Sequence, residues 1–269
     1  MEPPRISLTP GFPISQRTYR TSATSEAEIN KQIQNLLAAG LIKESNSCYS
    51  SSATLVYKRD EKQKTRLYID KKKLNAICKT GTESLTRIDS LQDKLNSAKF
   101  FSTLDLASGY WHIPLHDEDK EKLAIITTEC LYEFQVLPFG FRNAPAIFNR
   151  TIRKILTKHK CSNFACPYFD DIVIVSNSLE EHHAYLRKIF KICEEGNIKL
   201  KFSKCVFTIN KINLLGYEIK EGYITPDNQN IETIKKLQPL KNVKQLQSFL
   251  GYVNVYNKFI DSYAKITLL

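Results

Sequence analysis

The feature that most constrains the fold is a pair of adjacent carboxylates, Asp170 and Asp171, between two short apolar segments. Residues 172–175 are an unbroken β-branched run, which predicts a strand buried on both faces. Two acids at the tip of such a rigid hairpin repel each other, and a divalent cation can relieve that repulsion. A solvated turn is the alternative, because Asp is a favoured turn residue.

A third acid, Asp105, ends another strand-like run at residues 100–105, and residues 107–110 then turn the chain. Two strand ends that carry acids can meet on neighbouring strands of one sheet. Three carboxylates at one sheet edge are typical of metal-assisted phosphoryl transfer. The pattern therefore predicts a metal site for this chemistry.

The positive charge is large and clustered. The chain has a net charge of +11 and a pI near 9.2. Residues 54–79 hold nine Lys and Arg against three acids, and residues 187–269 hold fourteen against seven. Solubility would explain the net charge but not this distribution, which favours a polyanionic partner, nucleic acid before membrane.

Other patterns exclude several classes of protein. The seven cysteines form no CxxC pair, which indicates reduced thiols in an intracellular protein, not a disulfide framework or a zinc module. No apolar run approaches the ~20 residues of a membrane span, and residues 1–5 are no signal peptide. Neither a GxGxxG nor a Walker loop is present. His182 and His183 lie in a helical stretch without partners at ligand spacing, and are predicted to be surface residues.

The order of predicted elements is mixed α+β with hairpins. A capping box at Ser25 and Glu28 predicts a helix that ends at Gly40, and Pro145 suits the start of a second helix. A third helix is expected from Ser178 to Gly196. The predicted hairpins are 54–57 with 66–69, 123–128 with 132–136, the acidic hairpin, and 214–223. The final helix, 242–260, is expected to bury Leu246, Phe249, Leu250, Val253 and Tyr256.

Eight segments together resemble the reverse transcriptase of gypsy-like long-terminal-repeat retrotransposons, relatives of the retroviral enzymes. They include LPFGFRNAP at 137–145 and YFDD at 168–171. The others lie at 40–45, 66–75, 101–110, 132–134, 215–217 and 248–251. The resemblance extends from about residue 6 to the end of the chain.

This resemblance implies an α+β, right-hand polymerase with fingers, palm and thumb, whose antiparallel palm sheet carries the catalytic acids. Residues 1–85, with an N-terminal arm, and 113–143 would be fingers. Residues 86–112 and 144–224 would be palm, and 225–269 thumb. Protease, RNase H and integrase segments are expected to be absent, as in a fragment of a longer polyprotein.

The resemblance also implies the catalytic centre. Asp105, Asp170 and Asp171 would be the catalytic acids and would bind two Mg²⁺ ions, for which Mn²⁺ can substitute. The backbone carbonyl of Leu106 would be a further metal ligand. The reaction would be the template-dependent transfer of deoxynucleotides to a primer 3′-hydroxyl during retrotransposon replication.

Five residues match nucleotide-binding positions of the family. Lys58 and Arg66 would hold the triphosphate of the incoming deoxynucleotide, although Lys58 could instead belong to a solvated charge run. Tyr110 would exclude a 2′-hydroxyl, with simple core packing as the alternative. Phe139 and Gly140 would line the nucleotide pocket.

Further positions match contacts to the RNA or DNA template and its primer. These are Tyr168, beside the acids, and Leu215, Gly216 and Tyr217, in the last hairpin. The lysines of the terminal helix would hold duplex by its phosphates. No membrane partner is expected.

Two alternatives stay open, and departures from the family pattern support the first of them. Lys72 stands where the family usually has Arg, Cys130 where Gly is common in a turn, and Asn257 and Lys258 replace an Arg pair. The Cys130 hairpin is therefore expected to be strained. The first alternative is a non-catalytic, domesticated or decayed nucleic-acid-binding remnant. The second is a right-hand polymerase of another template class.

Overall fold

The structure is a computed structural model. It describes residues 3–57, 65–79, 95, 98–168, 171–214, 216–220 and 223–267. Within this part of the chain the helices are α1 Ala23–Ala38, α2 Lys72–Ile77, α3 Asp117–Lys120, α4 Ala144–Lys158, α5 Leu179–Glu195, α6 Asn228–Lys235, α7 Val243–Asn254 and α8 Tyr263–Thr267. Short 3₁₀ turns lie at Gly109–His112, Glu121–Leu123, Phe202–Lys204 and Asn257–Phe259.

Twelve strands lie in the described residues and form three sheets. They are β1 Ile42–Glu44, β2 Ser51–Tyr57, β3 Thr65–Ile69, β4 Phe100–Asp105, β5 Ile125–Ile126, β6 Leu131–Phe134, β7 Ala165–Tyr168, β8 Asp171–Ser176, β9 Val206–Ile209, β10 Lys211–Leu214, β11 Tyr217–Lys220 and β12 Tyr223–Pro226. The sheet orders are β1-β6-β5-β2-β3, β7-β8-β4-β9 and β10-β11-β12. This mixed α+β content matches the predicted fold class.

The chain divides into two compact units. Unit 1 comprises Met1–Thr86, Leu104–Ile172 and Lys188–Cys205, and it holds the five-stranded sheet. Unit 2 comprises Arg87–Thr103, Val173–Arg187 and Val206–Leu269, and it holds the three-stranded sheet. The boundaries run through β4 and β8, two neighbouring strands of the four-stranded sheet.

Two hairpin predictions are confirmed, the segment 214–223 is the middle of a three-stranded meander and not a single hairpin, and the turn of the acidic hairpin lies outside the described residues. β2 pairs antiparallel with β3, β5 with β6, and β10, β11 and β12 form a three-stranded meander. Strand β8 is buried from its second residue to its last, as its β-branched run predicts. Burial alternates along β6, β10 and β11, whereas β2 and β8 bury consecutive residues, as a continuous apolar run favours.

Two helix predictions need correction. Helix α1 is capped by Ser22, whose hydroxyl accepts from Ser25 N at 3.2 Å, so it begins before the predicted capping box. Its end at Gly40, in the left-handed region, is as predicted. Helix α7 does not bury the predicted apolar face, because Leu246 is 44% exposed and, of the five residues expected to be buried, Tyr256 alone reaches full burial.

The expected strain at Cys130 is absent. Its φ is not among the positive values, so the turn needs no glycine there. Thr127 makes the turn instead: its backbone N donates to Cys130 O at 3.0 Å, and its hydroxyl accepts from Cys130 N at 3.2 Å. This local side-chain hydrogen bonding is a common way to form a turn without left-handed backbone.

His182 is fully buried, contrary to the surface prediction. Its Nε2 lies 2.7 Å from Ser102 Oγ on β4, and its Nδ1 lies 2.8 Å from Ser176 Oγ on β8. Burial is tolerated because both ring nitrogens have partners. His183, the next residue, is exposed as predicted.

The N-terminal arm follows the surface of unit 1 through regular contacts. Thr9 N donates to Ile77 O at 2.8 Å, and Gln16 N donates to Ser50 O at 3.1 Å. Asp119 is fully buried and accepts from Ile6 N at 2.8 Å. Burying a carboxylate is costly unless its oxygens have hydrogen-bond partners, so the arm is an integral part of this unit.

Candidate active site

Asp105 and Asp171 lie at the same end of neighbouring strands. Asp105 is the last residue of β4 and Asp171 the first of β8. Lys99 N, just before β4, donates to the carbonyl of Ser176, the last residue of β8, at 2.9 Å. The two strands therefore run in opposite directions, which places the end of β4 beside the start of β8. Asp170 lies outside the described residues.

A second segment of the backbone supports Asp105. Lys201 N donates to Asp105 O, and Ala107 N donates to Lys199 O, each at 2.9 Å. The Asp105 side chain is 22% exposed, and Lys204 Nζ lies 3.6 Å from its Oδ2. The carboxylate is thus held by a paired strand end, with its charge partly balanced by a solvated lysine.

The thiol of Cys205 is influenced by both acids. Burial raises the pKa of its thiol, and the negative charges of Asp105 and Asp171 raise it further. A backbone hydrogen bond at Asp105 lowers the pKa and offsets part of this shift. The thiol Sγ also lies 4.0 Å from the Asp105 carbonyl oxygen. Both carboxylates therefore act on the same thiol, which stays protonated near neutral pH.

The oxygen donors fit a hard divalent cation. Asp105 and Asp171 supply carboxylates, and Leu106 O accepts one hydrogen bond, from Gly109 N at 3.1 Å, which leaves a lone pair. A protonated thiol is a poor ligand for such a cation. No cluster of three or more potential ligand side chains occurs within the described ranges, which do not include Asp170.

Three predicted nucleotide-binding residues come together around one ring. The Arg66 guanidinium carbon lies 4.9 Å from the centre of the Phe139 ring. Tyr110 meets Phe139 edge to face at 5.1 Å and Phe148 at 5.5 Å. Arg66 is exposed and Tyr110 is partly exposed, so this aromatic cluster has both a packed side and an open side. Lys58 lies outside the described residues.

Gly109 is required by close packing. A Cβ atom there would stand 2.9 Å from two ring carbons of Phe148, a distance that real Cβ contacts essentially never show. The preceding residue, Ser108, has a φ of 51°. This tight turn lets the chain reverse directly after Asp105 and brings Tyr110 onto the aromatic cluster.

Gly140 lies in a loop held by Asn75. Its φ is 80°, a conformation that favours glycine. Asn75 Nδ2 donates to Gly140 O at 2.9 Å, and Arg142 N donates to Asn75 Oδ1 at 2.8 Å. One amide side chain thus fixes the backbone on both sides of Phe141, and with it the position of Phe139.

The predicted primer-contact residues are divided between the units. Tyr168 ends β7 in unit 1, and Leu215 lies outside the described residues. In unit 2, Gly216 has a φ of 80°, and a Cβ there would stand 2.6 Å from Tyr256 Oη. Tyr217 is buried and donates from its hydroxyl to Val255 O. Its side chain therefore packs within unit 2.

Sequence reasoning assigned no role to three residues that the structure places at the site. Asn75 holds the Gly140 loop, Cys205 lies beside both acids, and His112 bonds the Tyr110 turn to a distant segment. Asn75 lies in a segment that carried the family resemblance. That resemblance was the only feature of the sequence that pointed to Asn75. Trp111 Nε1 is buried and has no hydrogen-bond partner among the described residues.

No described helix is both long enough and apolar enough to span a bilayer.

Comparisons with known proteins agree with this geometry. The family model "Reverse transcriptase (RNA-dependent DNA polymerase)" matches residues 56–219. The Retrovirus-related Pol polyprotein from transposon 297 of Drosophila melanogaster is 35% identical over 97% of this chain, which spans 25% of that polyprotein. The Enzymatic polyprotein of Cauliflower mosaic virus (strain Strasbourg) is 33% identical over 96% of the chain, which spans 38% of it.

A solved structure shows the same fold. The foamy viral protease-reverse transcriptase dRH in complex with double-stranded DNA superposes with a TM-score of 0.82 and 25% identity. The superposition covers 99% of this chain and 46% of that one. The chain spans less than half the length of each of these three relatives.

Proposed function

This chain belongs to the reverse transcriptase family, and we propose that it is an RNA-directed DNA polymerase. Its substrates would be deoxynucleoside triphosphates and a primer on an RNA or DNA template, and its role would be retroelement replication. The observation that carries the proposal is the placement of Asp105 and Asp171 at one end of two paired strands. The turn that follows Asp105 carries Tyr110 to Arg66 and Phe139.

Asp105 and Asp171, with Asp170, would hold divalent metal ions, which the family generally uses. We propose two Mg²⁺ ions, with the Leu106 carbonyl as a further ligand and Mn²⁺ as a substitute. Such ions activate an attacking hydroxyl and stabilise the leaving oxygen. The chain's own contribution is to hold the carboxylates on rigid strand ends, where they cannot separate to relieve their repulsion.

The aromatic cluster would bind the incoming nucleotide. Arg66, exposed above the Phe139 ring, has a guanidinium that suits a triphosphate. Tyr110, packed between Phe139 and Phe148, would hold its ring against the sugar and exclude a 2′-hydroxyl. Gly140 would admit the nucleotide close to the backbone. Lys58 would join Arg66 on the triphosphate.

The remaining assignments follow the family pattern. Fingers would comprise 1–85 and 113–143, palm 86–112 and 144–224, and thumb 225–269. The primer would contact Tyr168 and the turn formed by Leu215, Gly216 and Tyr217. The turn would make this contact through its backbone, because the Tyr217 side chain is buried. The protein would act inside the cell, where its cysteine thiols stay reduced.

A non-catalytic, nucleic-acid-binding remnant is the second candidate, motivated by the Lys72, Asn257 and Lys258 departures. None of these three residues lies in the site described above. The well-packed acids, the Asn75 contacts and the Gly109 turn favour the enzyme, because a decayed site would not need them. A polymerase of another template class is disfavoured by the family match, since two-metal chemistry itself does not depend on the template.

Primer extension on RNA and DNA templates tests the proposal. The wild-type protein should extend a primer on RNA with Mg²⁺, and Asp105→Asn should abolish extension while duplex affinity stays within a few-fold. Asp117→Asn is the matched control, because that carboxylate is 91% exposed and paired to Lys120. Extension on DNA alone would indicate the other template class, and binding without extension would indicate the remnant.

A further inference from the structure

We propose that His112 is a positioning residue that fixes the turn carrying Tyr110, and thereby sets the discrimination between deoxy- and ribonucleotides. This inference rests on the proposed polymerase function. The imidazole of His112 makes two hydrogen bonds, to Gly109 and Lys199, both within unit 1.

The imidazole connects the turn to a segment far away in sequence. His112 Nδ1 lies 3.1 Å from Gly109 O, at the start of the turn Gly109–His112. Lys199 N donates to His112 Nε2 at 3.0 Å. Lys199 O in turn accepts from Ala107 N at 2.9 Å. The turn is therefore hydrogen-bonded to the same segment that supports the end of β4.

These partners determine the protonation state of the ring. A backbone N–H can only donate, so Nε2 must be the acceptor and carry no proton. A backbone carbonyl can only accept, so the proton lies on Nδ1 and is donated to Gly109 O. Neutral His112 in this one tautomer satisfies both bonds. Burial lowers the pKa of His112 and the Lys199 charge lowers it too, while the bond to Gly109 raises it.

Protonation would break one of the two bonds. A second proton on Nε2 would face the Lys199 N–H, and two donors cannot bond to each other. The turn would then lose its hydrogen bond to Lys199 N. Tyr110, two residues before His112, would lose its fixed position. Ribonucleotide exclusion depends on where that ring lies, because the exclusion is steric.

Gln can replace both functions of the ring without titrating. Its amide oxygen can accept from Lys199 N and its amide nitrogen can donate to Gly109 O. Phe keeps the approximate ring size but offers neither group. His112→Gln and His112→Phe therefore separate hydrogen bonding from packing, and His183→Gln, at an exposed histidine in unit 2, is the control.

The first measurement is the ratio of ribo- to deoxynucleotide incorporation efficiency at pH 8 and pH 5. The lower value is chosen because the pKa of His112 lies below its ordinary 6.5. The ratio cancels effects of pH that both nucleotides share. At pH 8 we expect His112→Gln and His183→Gln to match the wild type, and His112→Phe to raise the ratio by about tenfold, as misplacement of a positioned group would. At pH 5 the wild-type ratio should rise towards that of His112→Phe, and the His112→Gln ratio should not.

The second measurement needs no polymerase activity. Trp111 is the only tryptophan of the chain and lies next to His112, so its fluorescence reports on this turn. Wild type and His183→Gln should show a change in emission between pH 8 and pH 5 that His112→Gln lacks. This comparison does not use His112→Phe, so it still tests the proposal if that variant does not fold.

Two results would overturn the proposal. One is a His112→Phe protein that extends primers with the wild-type ratio. The other is a His112→Gln protein whose incorporation ratio and Trp111 emission change with pH as the wild type does. A wild-type protein without any extension would instead contradict the polymerase function, and the fluorescence comparison would still test the fastening of the turn.

Discussion

Lys71 gives a quantitative test of the packing of unit 1, because its ammonium group is buried with no hydrogen-bond partner among the described residues. The residue is 1% exposed, and its Nζ has no hydrogen-bond partner in the part of the chain that the structure describes. Nζ lies 5.3 Å from the centre of the Phe134 ring. Burial lowers the pKa of Lys71 from its ordinary 10.5 to about 7.

The shift in pKa sets the size of the effect. At about 1.4 kcal/mol per pKa unit, burying this amine costs roughly 4 kcal/mol of stability at pH 7, of which the Phe134 contact offsets about 1–2 kcal/mol. Lys71→Met keeps the approximate length of the side chain and removes its charge. It should therefore raise the free energy of unfolding by about 2–3 kcal/mol at pH 7.

The effect should depend on pH with a definite sign. The folded-state pKa lies below the unfolded-state pKa, so the unfolded chain binds more protons between pH 7 and 10.5. Wild-type stability therefore rises with pH in this window. The advantage of Lys71→Met should shrink by roughly 2 kcal/mol between pH 7 and pH 9.

Urea unfolding at the two pH values measures both quantities. Trp111 fluorescence is a suitable probe, since this single tryptophan lies in unit 1 with Lys71. Lys73→Met is the matched control, because Lys73 is exposed on α2 and its loss should change little at either pH. A Lys71→Met protein no more stable than the wild type, or equally favoured at pH 7 and pH 9, would refute the argument that the amine is buried and unpaired.

Three further predictions concern the site. Gly109→Ala should lower the free energy of unfolding by about 1–3 kcal/mol, because its Cβ would collide with the Phe148 ring; Gly11→Ala, which meets nothing within 4 Å, should not. Tyr110→Val should raise the ratio of ribo- to deoxynucleotide incorporation, and Tyr110→Phe should not. An unchanged ratio in Tyr110→Val would mean that Tyr110 serves only in packing. Duplex affinity should fall steeply across a salt series as condensed counterions are released, whereas a flat dependence would mean that the basic residues do not contact phosphate.

Local patterns predicted much of the secondary structure. Short runs rich in β-branched residues between turn signals favour strands, so β2, β3 and β8 could be predicted from the sequence. The placement of Asp105 at a strand end followed from the turn residues after it. The same local information could not show which strands are neighbours, since that depends on contacts between residues far apart in sequence.

Errors arose where burial depends on distant partners. His182 looked like a surface residue because its own helix offers no partner, yet Ser102 and Ser176, on two different strands, satisfy both ring nitrogens. Leu246 looked like a core residue because it lies on an apolar face of α7, yet it remains 44% exposed. Periodicity shows that a face is apolar but not whether another element covers it.

The sequence by itself determined the family, the three candidate acids and the residues proposed to bind the nucleotide, because these lie in short ordered motifs. Tertiary structure alone decided how they act together. It brought Arg66 and Tyr110, which are far apart in sequence, to Phe139, tied His112 to Lys199, and left Lys71 Nζ without a hydrogen-bond partner among the described residues. These outcomes depend on long-range packing and hydrogen bonding, which no local pattern of residues encodes.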